Sequence, residues 1–234
     1  MKEKTEYSRT ISSPVTKSAH AVSSIITPPK IPESLDEMDF SGIPLAHDDA
    51  FALISVNNCL IEDQKADHLS FSQCVFNNVV FREISFEQLD LTDVRFVNCN
   101  LSNVDFDRAI IHRVEFIACN LMGMNFGSAT FRNVWFQECN GSYASFRLMD
   151  FEKASFSHCN LKYSDFQQAK FMTTQFQDCD LKQTQMSGTP LKDIDFSSCI
   201  IEGISVRTED LSGATVSAEQ AVYLAKKIGL IVKA

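Results

Sequence analysis

Val94-Arg95-Phe96-Val97-Asn98-Cys99-Asn100-Leu101-Ser102-Asn103-Val104-Asp105-Phe106 holds the pattern that decides the fold. Phe96, Leu101 and Phe106 stand five apart. Two residues before each comes a small or β-branched one, Val94, Cys99 and Val104, and the positions between are polar. The step of five extends outward in both directions without a slip. From Phe51 through Phe76, Phe86, Phe116, Phe126, Phe136 and Phe146 to Val216, only Ala66 and Gly141 fail to be large and apolar. A helix repeats about every 3.6 residues and a strand about every 2, so the segment is neither an ordinary helix nor a flat strand.

A second period lies inside the first. Cys99, Cys119, Cys139, Cys159, Cys179 and Cys199 recur by twenty, with Cys59 in the same phase. Phe76, Phe96, Phe116, Phe136, Phe156, Phe176 and Phe196 do likewise, as do Leu101, Leu121, Leu161, Leu181 and Ile201, with Gly141 as the gap. Four sides of five residues predict an all-β solenoid in which identical side chains stack from coil to coil. Each coil buries a ring of four large residues, with the small ones filling the corners at close packing. The usual spacing of paired strands, about 4.8 Å, makes residues 51–216 a rod of about eight coils and roughly 40 Å. The 19 Phe residues, against 1 Trp and 4 Tyr, fit a slot that selects Phe.

The ends break the period. Residues 1–35 read as a disordered or extended N-terminal tail, Ser- and Thr-rich to residue 27, with Pro28, Pro29 and Pro32 as an extended lead-in. Residues 36–50 form an N-terminal cap in which Phe40 and Leu45 keep the step of five but out of phase with Phe51. The solenoid occupies 51–216. In 217–234, Ser217 and Gln220 make a capping box, and a helix follows to about Ile228, stopped by Gly229. Ala221, Val222, Leu224, Ala225 and Ile228 are too many apolar residues for a solvated helix. They are expected to cap the solenoid and to join two copies as a homodimer.

Charge is uneven. The chain carries −9 overall, while residues 36–216 hold 13 basic against 26 acidic residues. That balance argues against direct nucleic-acid binding, which needs a basic footprint, and suits a partner with a positive surface. Asp67, Glu87, Asp105 and Asp107 fall in two adjacent outward columns. Asp193, Asp195, Glu202, Glu209 and Asp210 cluster near the C-terminal end. Such acids also serve plain solubility. No apolar stretch approaches the roughly 20 residues of a membrane span, and no leader has signal-peptide character, so a cytoplasmic protein with reduced thiols is expected.

Other chemistry finds little support. The cysteine ladder could hold a soft metal or a redox pair, but Ala, Val, Ser and Thr take the same slot elsewhere and no Cys-x-x-Cys pair occurs. His20, His47, His68, His112 and His158 are scattered, and no phosphate-binding glycine motif is present. No catalytic, metal or cofactor site is expected.

Cys99-Asn100-Leu101, Ala154-Ser155-Phe156 and Cys179-Asp180-Leu181 resemble the signature of pentapeptide-repeat proteins. The resemblance implies a right-handed quadrilateral β-helix, here with a C-terminal capping helix. The stretch Leu211-Ser212-Gly213-Ala214-Thr215-Val216-Ser217-Ala218-Glu219-Gln220-Ala221-Val222-Tyr223-Leu224, ending Ile228-Gly229-Leu230-Ile231-Val232, resembles the end of the Qnr group of quinolone-resistance proteins, nearest its chromosomal Gram-positive branch. That resemblance implies dimerisation through the C-terminal helix, and binding to DNA gyrase and topoisomerase IV, type II topoisomerases, as a mimic of duplex DNA. No insertion interrupts the register, where Gram-negative members carry projecting loops. Over roughly 40 Å, duplex DNA holds on the order of 24 charges, about twice the net charge of the solenoid, so mimicry would rest on the clusters at its ends. The alternative is a structural or secreted-effector scaffold for an unrelated protein, with residues 1–27 as its export or docking segment.

Overall fold

Parallel pairing at a constant offset of twenty residues governs the structure. The computed structural model describes residues 25–233; residues 1–24 of the expected tail lie outside them. The strands are β1 (Asp36–Glu37), β2 (Ala50–Ala52), β3 (Ile54–Asn57), β4 (Leu60–Lys65), β5 (Ser70–Asn77) and β6 (Val80–Ser85). They continue with β7 (Asp90–Val97), β8 (Ile110–Ile117), β9 (Thr130–Gln137), β10 (Asp150–Ser157) and β11 (Lys170–Gln177), and a single helix α1 (Ala218–Lys227) follows. The main sheet runs β1-β3-β5-β7-β8-β9-β10-β11, and β4-β6 form a second. Phe96 pairs with Phe116, Phe116 with Phe136, Phe136 with Phe156 and Phe156 with Phe176. Beyond the named strands, single bridges such as Asn100 to Asn120 and Asp195 to Thr215 keep the same offset. The fold is the expected all-β solenoid closed by a helix.

The corners come from the backbone. From Asp48 to Asp193 the chain turns through the left-handed region at five-residue steps: Asp93 (φ 59°), Asn98 (53°), Asn103 (58°), Arg108 (58°) and Arg113 (52°) are one run. Side-chain-bearing residues adopt this conformation at a cost of order 1–3 kcal/mol unless their surroundings compensate. Here each corner N–H reaches a carbonyl of the next coil, Asn98 to Ile117 at 2.9 Å and Arg108 to Gly127 at 2.8 Å. Cooperative pairing between coils therefore holds the turns, and glycine is not required.

Inside, the rings stack as the spacing predicts. Phe116 and Phe136 lie 4.9 Å apart at 4°, and Phe136 and Phe156 4.6 Å apart at 2°. A second column, Phe126–Phe146–Phe166, packs edge-on against the first. Aromatic pairs of this kind add about 0.5–1.5 kcal/mol each beyond the area they bury. Gly141 leaves no hole in the aliphatic column, because a Cβ there would meet Leu161 Cδ2 at 2.9 Å.

Both ends are plugged. Phe40 is buried and meets Phe51 edge-on at 5.0 Å. At the other end Ser217 and Gln220 form the capping box, and the Gln220 amide donates to Phe196 O at 2.8 Å and Cys199 O at 2.7 Å. The first turn of α1 thus gives Cys199 O a donor and adds a second one to Phe196 O, which also accepts from the Cys199 N–H at 2.8 Å. Residues 25–27, expected to be structureless, lie on the solenoid: Ile26 is buried, and Thr27 N–H donates to Asn133 Oδ1 at 3.0 Å.

Candidate interaction surfaces

Because columns repeat every twenty residues, charges on neighbouring coils meet side by side. Arg113 grips Asp93 at 2.5 and 2.6 Å, Arg95 meets Glu115 at 2.6 Å and Arg132 meets Glu152 at 2.7 Å. Arg82 pairs with Glu62 in the same way. The exposed pairs Arg132–Glu152 and Arg82–Glu62 stabilise little, about 0–1 kcal/mol each, while Asp93 and Glu115 are buried beneath their arginines; together the pairs neutralise the middle of the solenoid.

Three of the first group of candidate acids are tied down. Arg108 binds both Glu87 and Asp107, whereas His47 Nδ1 accepts from the Asp67 backbone N–H at 3.0 Å and leaves the Asp67 carboxylate without a donor there. Asp105 accepts from Asn125 Nδ2 at 2.8 Å and from the Asp107 N–H at 3.0 Å. All four are half-buried. A carboxylate committed to such partners offers less charge to a visiting protein than one in open solvent.

The C-terminal group divides. Asp193, Asp195 and Glu202 are exposed and have no ion pair among the described residues. The Ser197 hydroxyl and amide hold the Asp195 carboxyl below its usual range. Glu209 is exposed and meets Arg207 at 3.3 Å. Asp210 does not belong to this surface. It is buried, accepting from Arg207 and from Gly188 N–H at 2.8 Å, because the 3-10 turn Thr208–Leu211 folds it inward.

The apolar residues of the C-terminal segment divide too. Ala221, Val222 and Ile228 face solvent, whereas Leu224 and Ala225 are half-buried and Leu224 packs on the core of its own chain. A cleft of about 280 Å³ between α1 and the last coil is lined by Val206, Leu211, Leu224 and Ile228. Beyond the helix, Leu230, Ile231 and Val232 are exposed, Ile231 by 90%. These three carry more open apolar surface than the helix itself, and the unbroken run from Leu230 to Val232 was their signal in the sequence.

All eight cysteines are buried and free. Cys139 Sγ donates to Phe116 O at 3.3 Å and Gln137 O at 3.4 Å, and the ladder repeats this pair of bonds at Cys99, Cys119, Cys159 and Cys179. Burial pushes the Cys139 thiol up, which favours the neutral donor. Among the described residues, no group of three His, Cys, Asp or Glu side chains is placed to hold a metal ion. No described helix is long and apolar enough to cross a membrane. His112 packs on Arg113, and burial together with Arg113 and Arg132 lowers its pKa; His158 faces Asp178 at 3.9 Å. His20 lies outside the described residues.

A family model described as pentapeptide repeat region matches residues 89–166 and 149–223. No curated protein matches the sequence. Among solved structures, trypsin-treated QnrB1, a plasmid-mediated fluoroquinolone resistance protein, is similar at 17% identity and a TM-score of 0.43, covering 81% of this chain and 100% of that one. HetL, a pentapeptide repeat protein involved in heterocyst differentiation regulation from the cyanobacterium Nostoc sp. strain PCC 7120, is similar at 14% identity and a TM-score of 0.34, covering 79% of this chain and 86% of that one. Likenesses at this level carry no argument about function.

Proposed function

Since the chain belongs to the pentapeptide-repeat family, we propose that it is a non-enzymatic scaffold that binds a type II topoisomerase, DNA gyrase or topoisomerase IV. In this proposal it acts in the cytoplasm as a homodimer, stands in for duplex DNA and protects the enzyme from quinolones. The observation that carries the proposal is the C-terminal end: Asp193, Asp195 and Glu202 on the last coils are exposed with no ion pair among the described residues, and Val222, Ile228 and Ile231 in the segment that follows are exposed and apolar. Joining two copies through those residues would bury an apolar patch that is costly in water. By two-fold symmetry it would also set two acidic ends beside one joint. The likeness of residues 211–232 to the end of the Qnr group supports the same partner.

The test is gyrase supercoiling in the presence of a quinolone, with and without the purified protein. Restored supercoiling is expected; a protein that neither binds gyrase at low salt nor alters its drug sensitivity removes the proposal. A scaffold for an unrelated protein is the second reading. It draws on Tyr143 and Tyr163, stacked 4.9 Å apart and exposed by 60% and 43% on the charge-balanced middle coils.

A further inference from the structure

From Thr27 to Lys30 the chain crosses the coils along a single corner column. That column holds Gln73 on β5, Asp93 on β7, Arg113 on β8 and Asn133 on β9, all in the left-handed conformation. Thr27 N–H donates to Asn133 Oδ1 at 3.0 Å and Lys30 N–H to Asp93 Oδ1 at 2.8 Å, while Gln73 Nε2 donates to Lys30 O at 3.0 Å. Three residues therefore cross two coils. At about 4.8 Å per coil that is about 3.2 Å per residue, the advance of an extended or polyproline chain.

The segment contributes main-chain atoms to these bonds and the corner contributes side chains. Asp93 and Asn133 supply acceptors and meet N–H groups. The corner residue on the coil between them, Arg113, has donors only. The residues between Thr27 and Lys30 are Pro28 and Pro29, which have no N–H to offer. The order of acceptor, non-acceptor and acceptor along the corner thus matches the order of N–H, no N–H and N–H along the segment. Among residues 25–32 only Ile26 is buried. Asp93 and Asn133 are buried as well, whereas Lys153, Thr173 and Asp193, further along the same column, are exposed.

We infer that this corner is a peptide-recognition groove and that residues 25–32 are its built-in ligand. The groove takes an extended, proline-containing segment with one apolar anchor, and a second protein carrying such a segment fills it by displacing residues 25–32. Main-chain bonds with a single anchoring side chain are a common way for folded domains to hold extended peptides, and prolines lower the entropy lost when such a peptide is ordered. The solenoid is complete beneath the segment: β5, β7, β8 and β9 pair with one another in register at every step. The segment itself lies outside the five-residue period, so its departure breaks no coil. The groove does not rest on the topoisomerase reading, since it uses none of Asp193, Asp195 and Glu202.

The test uses the full chain with a site-specific protease sequence inserted between Glu33 and Ser34, both exposed. After cleavage and removal of the released fragment, the solenoid should keep nearly its full thermal melt. A fluorescent peptide of residues 25–32 should then bind it, read by anisotropy. In the uncut chain the tethered segment competes at an effective concentration on the order of millimolar, so the same peptide should bind at least about tenfold more weakly. Asn133→Ala removes the acceptor for Thr27 N–H at a corner conformation that Ala118 already adopts. That change in the cut chain, and Ile26→Asp in the peptide, should each weaken binding severalfold. A solenoid that unfolds on losing the fragment would make the segment part of the fold and overturn the inference. A folded solenoid that ignores the peptide would also overturn it, as would equal binding by the cut and uncut chains or by Asn133→Ala.

Discussion

An exposed Arg207 closes over the buried Asp210 at the C-terminal end of the solenoid: Arg207 Nε and Nη2 donate to the two carboxylate oxygens at 2.8 and 2.7 Å, and Gly188 N–H completes the set. The Arg207 guanidinium holds the Asp210 carboxyl below its usual range. A carboxyl whose pKa is depressed by folding contributes stability that is full above its unfolded value, about 3.9, and is lost as pH falls through the folded value. Asp210→Asn should therefore cost about 1–2 kcal/mol at pH 7. Its melting temperature should fall less steeply than that of the wild type as pH drops below about 4. Equal melts at pH 7 would show that the pair does not hold the last coil.

Phe136 stacks on Phe116 above and Phe156 below and is buried. Phe136→Ala leaves a cavity in the middle of the column and should destabilise the protein by about 3–5 kcal/mol. Because each coil is supported by its neighbours, circular dichroism melting should show several coils failing together. A melt within one degree or so of wild type would contradict the stacked column.

The C-terminal residues separate two effects of one substitution. Ile231→Arg charges an open position, so sedimentation should show monomers while the melt stays put. Leu224→Arg strikes a residue packed on its own core, and should lower the melt by about 2–4 kcal/mol of stability. A wild type already monomeric at micromolar concentration would exclude the dimer.

Asp193→Lys with Asp195→Lys should weaken gyrase binding by about tenfold or more, roughly 1.4 kcal/mol, and leave folding intact. Glu87→Lys, at a carboxylate already paired with Arg108, should matter less. Binding of the wild type should also weaken with salt, since screening acts beyond about 8 Å at physiological ionic strength. Binding that ignores both charge and salt would rule out acidic mimicry.

Thiols at Cys119, Cys139 and Cys159 should resist a thiol reagent in the native protein and react once denaturant is added, because burial keeps them inaccessible. Rapid labelling of the folded chain would show that the ladder opens without unfolding.

Much of this was legible in the residues themselves. Phe96, Phe116 and Phe136 could be assigned to one column from spacing alone, and Ser217 with Gln220 announced the helix start. The left-handed corners were not legible, since Asn98, Arg108 and Arg113 have no common side chain to betray them. The acidic candidates were half legible: periodicity placed them outward but could not tell a free carboxylate from a paired one.

A solenoid turns sequence period into spatial period, because each coil touches only its neighbours and identical residues meet at a fixed offset. The chain alone therefore determined the coil, its core columns and its capped end. Tertiary structure decided what lies outside that rule. Asp210 turned inward because a 3-10 turn brought it under Gly188, and Thr27 found Asn133 across 106 positions of sequence. Contacts of that kind follow no period, and depend on where a non-repeating segment comes to rest on a surface that must first be built.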